Sequence, residues 1–337
     1  MASGAPYAHV GGRLASGLVD VTDDPRALDT QGFWVAVGTF EGRWTFARFR
    51  DVAASESPQG LWAGPRRKAW TSSLDAEGYV ARVEHVRRLI AAGTVYQVNL
   101  CRVLRAPLDD EASLDGLAGV LSVGNPAPFA ARVYLPEAGI DLVSASPELY
   151  LRRDGARLAS APIKGTGRVV GDLTGKDVAE NVMIVDLVRN DLSRVCRTGS
   201  VAVEDTLAVE THPGLVQLVS TVTGDLADGT GWVDVLGATF PPGSVSGAPK
   251  STALTTIAEL ETAARGPYCG AVGWVDADAS RAELAVGIRT FWREEGSLCF
   301  GTGAGITWGS DPQREWRETE LKATHLLGLA ASDGRSR

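Results

Sequence analysis

The sequence predicts an α+β fold dominated by large antiparallel sheets. Strand-like runs follow one another directly instead of alternating strictly with helices, which argues against a doubly wound sheet. The late strand-like runs are joined by short polar connections at 276–281 and 294–297, the linkage that antiparallel neighbours allow. Hydrophobic residues make up 44% and charged residues 22% of 337 positions, enough apolar material for a sizeable core and too much for a disordered chain. Length alone allows one large domain or two of about 150 residues, and no linker divides the chain.

The elements follow in order. Residues 1–30 are Gly-, Asp- and Pro-rich and weakly patterned. Residues 32–40 and 43–50 read as strands around a Glu41-Gly42 turn, and 51–67 as loop. Helical spacing of Val80, Val83, Val86, Leu89 and Ile90, stopped by Gly93, predicts a helix over 75–92. A strand at 94–104 and a short helix at 114–123 come next. Strands at 130–135, 141–146, 149–153 and 157–161 precede a long helix at 176–194. The run 215–223 is β-rich, 232–240 is helical, 241–250 is a Gly/Pro/Ser loop, and 251–265 is a helix. Three strands at 268–275, 283–292 and 298–308 form an antiparallel meander before a final helix at 311–331. Residues 1–74 are expected as a short strand-rich part packed on a core at 75–332, with a frayed tail at 333–337.

Charge and composition exclude several functions. A net charge of −8 with no basic block argues against a nucleic-acid or anionic-membrane surface, while leaving room for a local basic pocket and an anionic small substrate. No run approaches the ~20 apolar residues of a membrane span, and the first residues lack a signal-peptide pattern; a cytoplasmic protein is the expectation. Cys101, Cys196, Cys269 and Cys299 match no zinc spacing and read as buried free thiols. The four histidines are scattered. Any metal is therefore expected to be hard and carboxylate-bound, like Mg²⁺.

Four patterns carry chemistry. Asp177/Glu180 and Glu315/Glu318 are i, i+3 pairs, each on one face of its helix, so that two helices brought together present up to four carboxylates to one cation. Asp186 and Arg189 fit a structural ion pair. Lys164 is one of only five lysines and stands between a strand and Gly165, where it can serve as nucleophile or base. The glycine-rich stretches 301–305 and 243–250 offer exposed N–H groups to an anion, the second at a helix start. Each pattern alone also fits a bland reading: first-turn acids on a helix dipole, an exposed loop lysine, glycines easing a crowded strand.

Taken in order, a series of motifs is far more specific: Tyr96-Gln97-Val98-Asn99-Leu100, Ser146-Pro147-Glu148-Leu149, Pro162-Ile163-Lys164-Gly165-Thr166, the run from Glu180-Asn181 to Arg189-Asn190-Asp191, Pro242-Gly243-Ser244 to Pro249-Lys250, Tyr268-Cys269-Gly270, Gly303-Ala304-Gly305-Ile306 and Glu315-Trp316-Arg317-Glu318. Over residues 75–330 this series resembles the chorismate-utilising enzymes, which include anthranilate synthase component I, aminodeoxychorismate synthase component I, isochorismate synthase and salicylate synthase. The resemblance implies a single large α+β domain with two mostly antiparallel β-sheets flanked by helices, and a Mg²⁺-dependent site between them. It implies Glu180 and Glu318 as metal ligands, with Asp177 and Glu315 around them. The Mg²⁺ would take the ring carboxylate of chorismate. Backbone N–H groups of Gly303, Ala304 and Gly305, with Arg289 and Tyr268, would hold the pyruvyl carboxylate. Ser244, Lys322 and Gln217 would line the site, Gln217 standing where many relatives have His. Glu148 would be the general acid for the C4 hydroxyl.

Two positions choose among the branches. Isochorismate synthases carry a water-activating Lys where this chain has Gln97. Anthranilate synthases usually carry Ala at the position of Lys164, whereas aminodeoxychorismate synthases have a Lys that attacks C2. The resemblance therefore points to an aminodeoxychorismate synthase component I, making 4-amino-4-deoxychorismate on the route to p-aminobenzoate and folate. Anthranilate synthase component I, or another amino-chorismate synthase of secondary metabolism, is the alternative. With no glutaminase motif in view, ammonia is expected from a separate glutamine amidotransferase subunit.

Overall fold

A computed structural model describes residues 4–167, 169, 171, 175–212 and 215–332. The first stretch comprises β1 (Tyr7–Val10), β2 (Arg13–Thr22), β3 (Phe33–Gly38), β4 (Trp44–Ala54), β5 (Thr71–Ser72), α1 (Ala76–Ala91), β6 (Gln97–Pro107) and α2 (Leu114–Gly124). Next come β7 (Phe129–Leu135), β8 (Ile140–Ser146), β9 (Leu149–Asp154), β10 (Arg157–Ala161), β11 (Ile163–Gly167), α3 (Gly175–Ser193), β12 (Ala202–His212) and β13 (Leu215–Asp225). The chain continues with α4 (Trp232–Thr239), β14 (Gly247–Ala248), α5 (Lys250–Leu260), β15 (Ala271–Asp276), β16 (Arg281–Val286), β17 (Thr290–Glu294), β18 (Ser297–Ile306) and α6 (Pro312–Ala330).

Every strand pairing is antiparallel, and the pairings trace one path: β6–β18–β17–β8–β7–β1–β2–β4–β3–β15–β16–β9–β10–β13–β12. β5 and β14 add to β6, and β11 adds to β13. The two sheets expected from the sequence are thus one continuous, curled sheet with helices packed on it. Its two halves are joined through β1 and β2, which lie in the stretch the sequence left unpatterned. β1 pairs with β7, β3 with β15 and β5 with β6, so the first 74 residues share the sheet with the rest of the chain.

Local chemistry explains the elements. β3 lies between β4 and β15 and is buried along its whole length, hence its unbroken run FWVAVG. α1 starts at Asp75, whose carboxylate accepts the Gly78 N–H at 2.8 Å, and α6 at Asp311, which accepts from Arg314 at 2.9 Å with Pro312 in the first turn. A large apolar core runs through the sheet, and a smaller cluster of Leu114, Leu117, Phe291, Phe300 and Leu326 sits where α2 and α6 pack on the sheet. Among the described residues no helix is long and apolar enough to cross a membrane.

The expected strand at 283–292 is two strands. Arg289 takes a left-handed φ of 52°, and a side chain at Gly287 would meet the Pro267 carbonyl at 2.1 Å. The chain therefore leaves β16 at 287–289 and enters the other half of the sheet as β17. The meander is accordingly two hairpins, β15–β16 and β17–β18, in different halves. The β8-to-β9 connection, Ser146-Pro147-Glu148, crosses beside it. The two crossings hold each other: Val286 N–H donates to Glu148 O (3.0 Å), Ala145 N–H to Arg289 O (3.0 Å), and the Ser146 hydroxyl to Val286 O (2.6 Å). The helix expected at 251–265 stops at Leu260, because Glu261 leaves helical geometry with ψ 135° and serves other partners.

Candidate active site

Where the halves meet, the crossings, β11, β18 and α6 enclose a cavity of about 600 Å³. Glu148 and Arg289 come from the two crossings, Lys164 from β11, Gln217 from β13 and Glu180 from α3. Ser244 and Tyr268 come from turns, Gly303 and Gly305 from β18, and Glu318 and Lys322 from α6. Eleven of the residues singled out in the sequence thus share one wall system, although they span positions 148 to 322.

β11 is bulged. Lys164 pairs with Leu218 and Thr166 with Gln217, leaving Gly165 as the extra residue at φ 72°. A bulge of this kind re-aims the neighbouring side chain, and Lys164 Nζ donates to Ser244 O at 3.1 Å. On β18, β6 covers one edge along the whole strand, whereas β17 covers the other only from Ser297 to Phe300. Residues 301–305 therefore present an open edge to the cavity. Lys322 Nζ donates to Gly303 O on that edge (3.1 Å) and lies 2.7 Å from Glu318 Oε1. A residue's N–H and C=O point to the same side of a strand, so the Gly303 N–H, and with it that of Gly305, faces the cavity. Ala304 is turned the other way. It pairs with Leu100 of β6 and does not line the cavity, so the N–H expected from it goes to the ladder. Gly301 is a steric necessity, since a side chain there would strike the Tyr268 ring at 2.0 Å, whereas one at Gly305 would displace the movable end of Gln97, whose Nε2 lies at 2.5 Å.

Glu148 is 4% exposed. Burial pushes its carboxyl above the usual glutamate range, against the opposing pull of the Ser244 hydroxyl, the Lys164 charge, the Ile163 N–H and Arg289. Burial likewise lowers the Arg289 guanidinium, and Glu148 pulls it back. A carboxyl whose neutral form is favoured by burial, set beside Lys164 and Arg289, suits proton donation to a leaving group.

The carboxylates divide. Glu180 and Glu318 line the cavity. Glu315 does not: it is buried on α6 with Thr319 and Ala323, beside the row of Glu318, Lys322 and His325 that lines the cavity. The side chain of Asp177 lies outside the described residues. Among the described residues no group of three or more His, Cys, Asp or Glu gathers as a metal site; of the three expected carboxylates whose side chains are described, Glu180 and Glu318 face the cavity. These two are hard oxygen donors from two helices, the donor type that Mg²⁺ accepts alongside substrate oxygens. All four cysteines are free and buried. Asp186 and Arg189 form an exposed ion pair at 2.9 Å. Lys250, at the end of the second glycine-rich stretch, pairs with Asp191 at 2.6 Å.

Sequence reasoning passed over several wall residues: Asn99, Asn125, Thr302, His325 and the apolar Phe300 and Leu326. Asn99 stands inside a quoted motif and pairs across the ladder with Gly305, a signal available only once the register is known. Arg265 was also passed over. It is 1% exposed, chelates Glu261 at 2.6 and 2.8 Å, and donates to Asn99 O (2.6 Å) and Val245 O (2.9 Å). It buttresses two segments of the cavity wall from behind.

A family model described as chorismate binding enzyme matches residues 42–328. The chain belongs to this family. Within it, the chain is 40% identical over 270 residues to an anthranilate synthase component 1 of Haloarcula marismortui, a match covering 76% of this chain and 54% of that protein. It is 42% identical over 278 residues to an aminodeoxychorismate synthase of Streptomyces pristinaespiralis, covering 76% and 38%. The crystal structure of anthranilate synthase component I from Streptococcus pneumoniae has the same fold, with a TM-score of 0.80 at 22% identity over 97% of this chain and 93% of that one. The chain spans about half the length of the curated family members it matches, and their names divide between the two synthases.

Proposed function

We propose that this chain is an aminodeoxychorismate synthase component, converting chorismate and ammonia into 4-amino-4-deoxychorismate. The observation that carries the reading is Lys164, a primary amine on the cavity wall beside a buried carboxyl whose pKa is raised. Lys164 Nζ, as the neutral amine, forms a bond to C2 of the ring, both ring double bonds shift by one position toward C4, and the C4–O bond breaks as Glu148 passes its proton to the departing hydroxyl, which leaves as water. Ammonia then adds at C4, both double bonds shift back, and the C2–N bond to Lys164 breaks, which returns the neutral lysine amine and leaves the new C4 nitrogen as an ammonium. The covalent adduct keeps ammonia away from C2. Arg289, Tyr268 and the N–H groups of Gly303 and Gly305 suit the pyruvyl carboxylate. Glu180 and Glu318 would hold Mg²⁺, which supplies positive charge for the ring carboxylate.

Ammonia comes, on this reading, from a glutamine amidotransferase subunit. The second reading is anthranilate synthesis, favoured by the names of several similar proteins. Chromatographic product analysis with chorismate, Mg²⁺ and ammonium separates the two. Wild type is expected to make 4-amino-4-deoxychorismate. Lys164→Ala is expected to slow 4-amination by about 10²-fold and to divert part of the flux to a C2-aminated product. Anthranilate from the wild type, or an unchanged rate and product in Lys164→Ala, overturns the proposal.

A further inference from the structure

Glu148 lines a second cavity as well as the large one. This one measures about 20 Å³ and shares Glu148 and Ser244 with the first. The volume accommodates one water, and the other polar side chains around it are Ser160, Thr239, Asp191 and Tyr150, whose hydroxyl shares a hydrogen bond with Thr239 Oγ1 at 2.6 Å. One carboxyl oxygen of Glu148, Oε1, is buried without a hydrogen-bond partner among the described residues, an unusual state for a buried polar atom. Asp191 is 7% exposed and lies 2.6 Å from Lys250 Nζ, which also donates to Thr239 O at 3.2 Å. The Lys250 side chain retains 18% exposure, so the pair has an outer end that meets solvent.

A general acid must recover its proton each cycle. Lys164, Arg289 and any molecule filling the large cavity crowd Glu148 on that side. We propose that a water in the small cavity links Glu148 to the Asp191–Lys250 pair and returns the proton, with Asp191 as a positioning residue. The inference rests on the reading of Glu148 as general acid. After Glu148 has protonated the departing hydroxyl, the water gives a proton to its carboxylate and takes one through Asp191 from the Lys250 ammonium, which solvent reprotonates. One proton enters from solvent and one water leaves the substrate; nothing is oxidised or reduced. The charged groups facing Glu148 are Lys164 and Arg289, and those facing Asp191 are Lys250 and Arg194. Burial raises the Asp191 carboxyl against the pull of both cations, which eases its passage through the protonated form.

The test uses the full chain with chorismate, Mg²⁺ and ammonium, and reads kcat, KM, the solvent deuterium isotope effect and Tm. Ser160→Val fills the small cavity without changing charge, whereas Ser160→Ala keeps room for the water. Asp191→Asn/Lys250→Met removes the relay as a neutral pair, a replacement that cores generally tolerate. Ser160→Val and the double variant are expected to lower kcat by about tenfold or more, with KM for chorismate within about twofold, a larger solvent isotope effect and a Tm near wild type. Ser160→Ala is expected to keep most of the wild-type kcat. Wild-type kcat and isotope effect in both Ser160→Val and the double variant, or equal losses in Ser160→Ala and Ser160→Val, overturn the relay. Glu148→Gln separates the two levels: if it is inactive while those variants behave as wild type, the relay alone fails, and if it turns over normally, the acid role fails and the relay with it.

Discussion

At the scale of single residues, Glu148 is made an acid by where it is placed. Its raised pKa is a net effect that already includes the attraction of Lys164 and Arg289. A carboxyl whose folded pKa lies above its unfolded value contributes stability that is present below the unfolded pKa and lost as pH rises through the folded one. Ionised Glu148 therefore destabilises the fold at neutral pH. Glu148→Gln is expected to raise Tm at pH 7 relative to wild type, with the gain shrinking as pH falls toward the ordinary glutamate value of 4.5. The same substitution should reduce turnover by about 10²-fold or more. Thermal unfolding followed across pH checks the first part, and a lower Tm for the variant at neutral pH would contradict it. Reduced stability in exchange for a working acid is a common feature of functional sites.

At the scale of elements, the site depends on irregularities. The β11 bulge turns Lys164 toward Ser244, the left-handed Arg289 splits one expected strand into two, and the early end of β17 leaves 301–305 of β18 open. Immediately after α5, the buried Glu261–Arg265 pair ties three segments together: Glu261 Oε1 accepts the Cys101 N–H at 2.8 Å, and Arg265 holds Asn99 and Val245. Removing one member of a buried pair strands the other charge, at a cost of about 3–5 kcal/mol. Arg265→Met is expected to lose about that much in urea unfolding and to slow turnover, since Asn99 and Val245 line the cavity. A change below about 1 kcal/mol would show that the buttress is dispensable. Among the strands that sequence reading overlooked, which include β1, β2 and β11, β12 is an exposed edge strand with an interruption at Leu207, φ 56°, so it carries neither the apolar alternation nor the continuous run by which strands are recognised.

At the scale of the molecule, one sheet curls so that its two crossings and two of its helices converge. The four cysteines are all buried, so none stands as an exposed thiol nucleophile for releasing ammonia from glutamine. The purified chain is therefore expected to use ammonium and not glutamine, and to use glutamine once an amidotransferase subunit is added. Glutamine-dependent amination by the chain alone would refute the two-subunit reading.

The sequence by itself determined the α+β class, the main helices and the residue types that line the cavity. These are local matters: helix and strand periodicity, capping and motif order are written within a few tens of residues. Only the tertiary structure decided that the two sheets are one, that Glu315 packs away from the cavity while Glu318 faces it, that Ala304 spends its N–H on β6, and that Glu148 borders a second cavity reaching Asp191. The helix phase of Glu315 and the strand facing of Ala304 each turn on a single residue of register against a partner far away in sequence. Such register is settled by closing the whole sheet, because a slip of one position reverses every side chain and every N–H it carries.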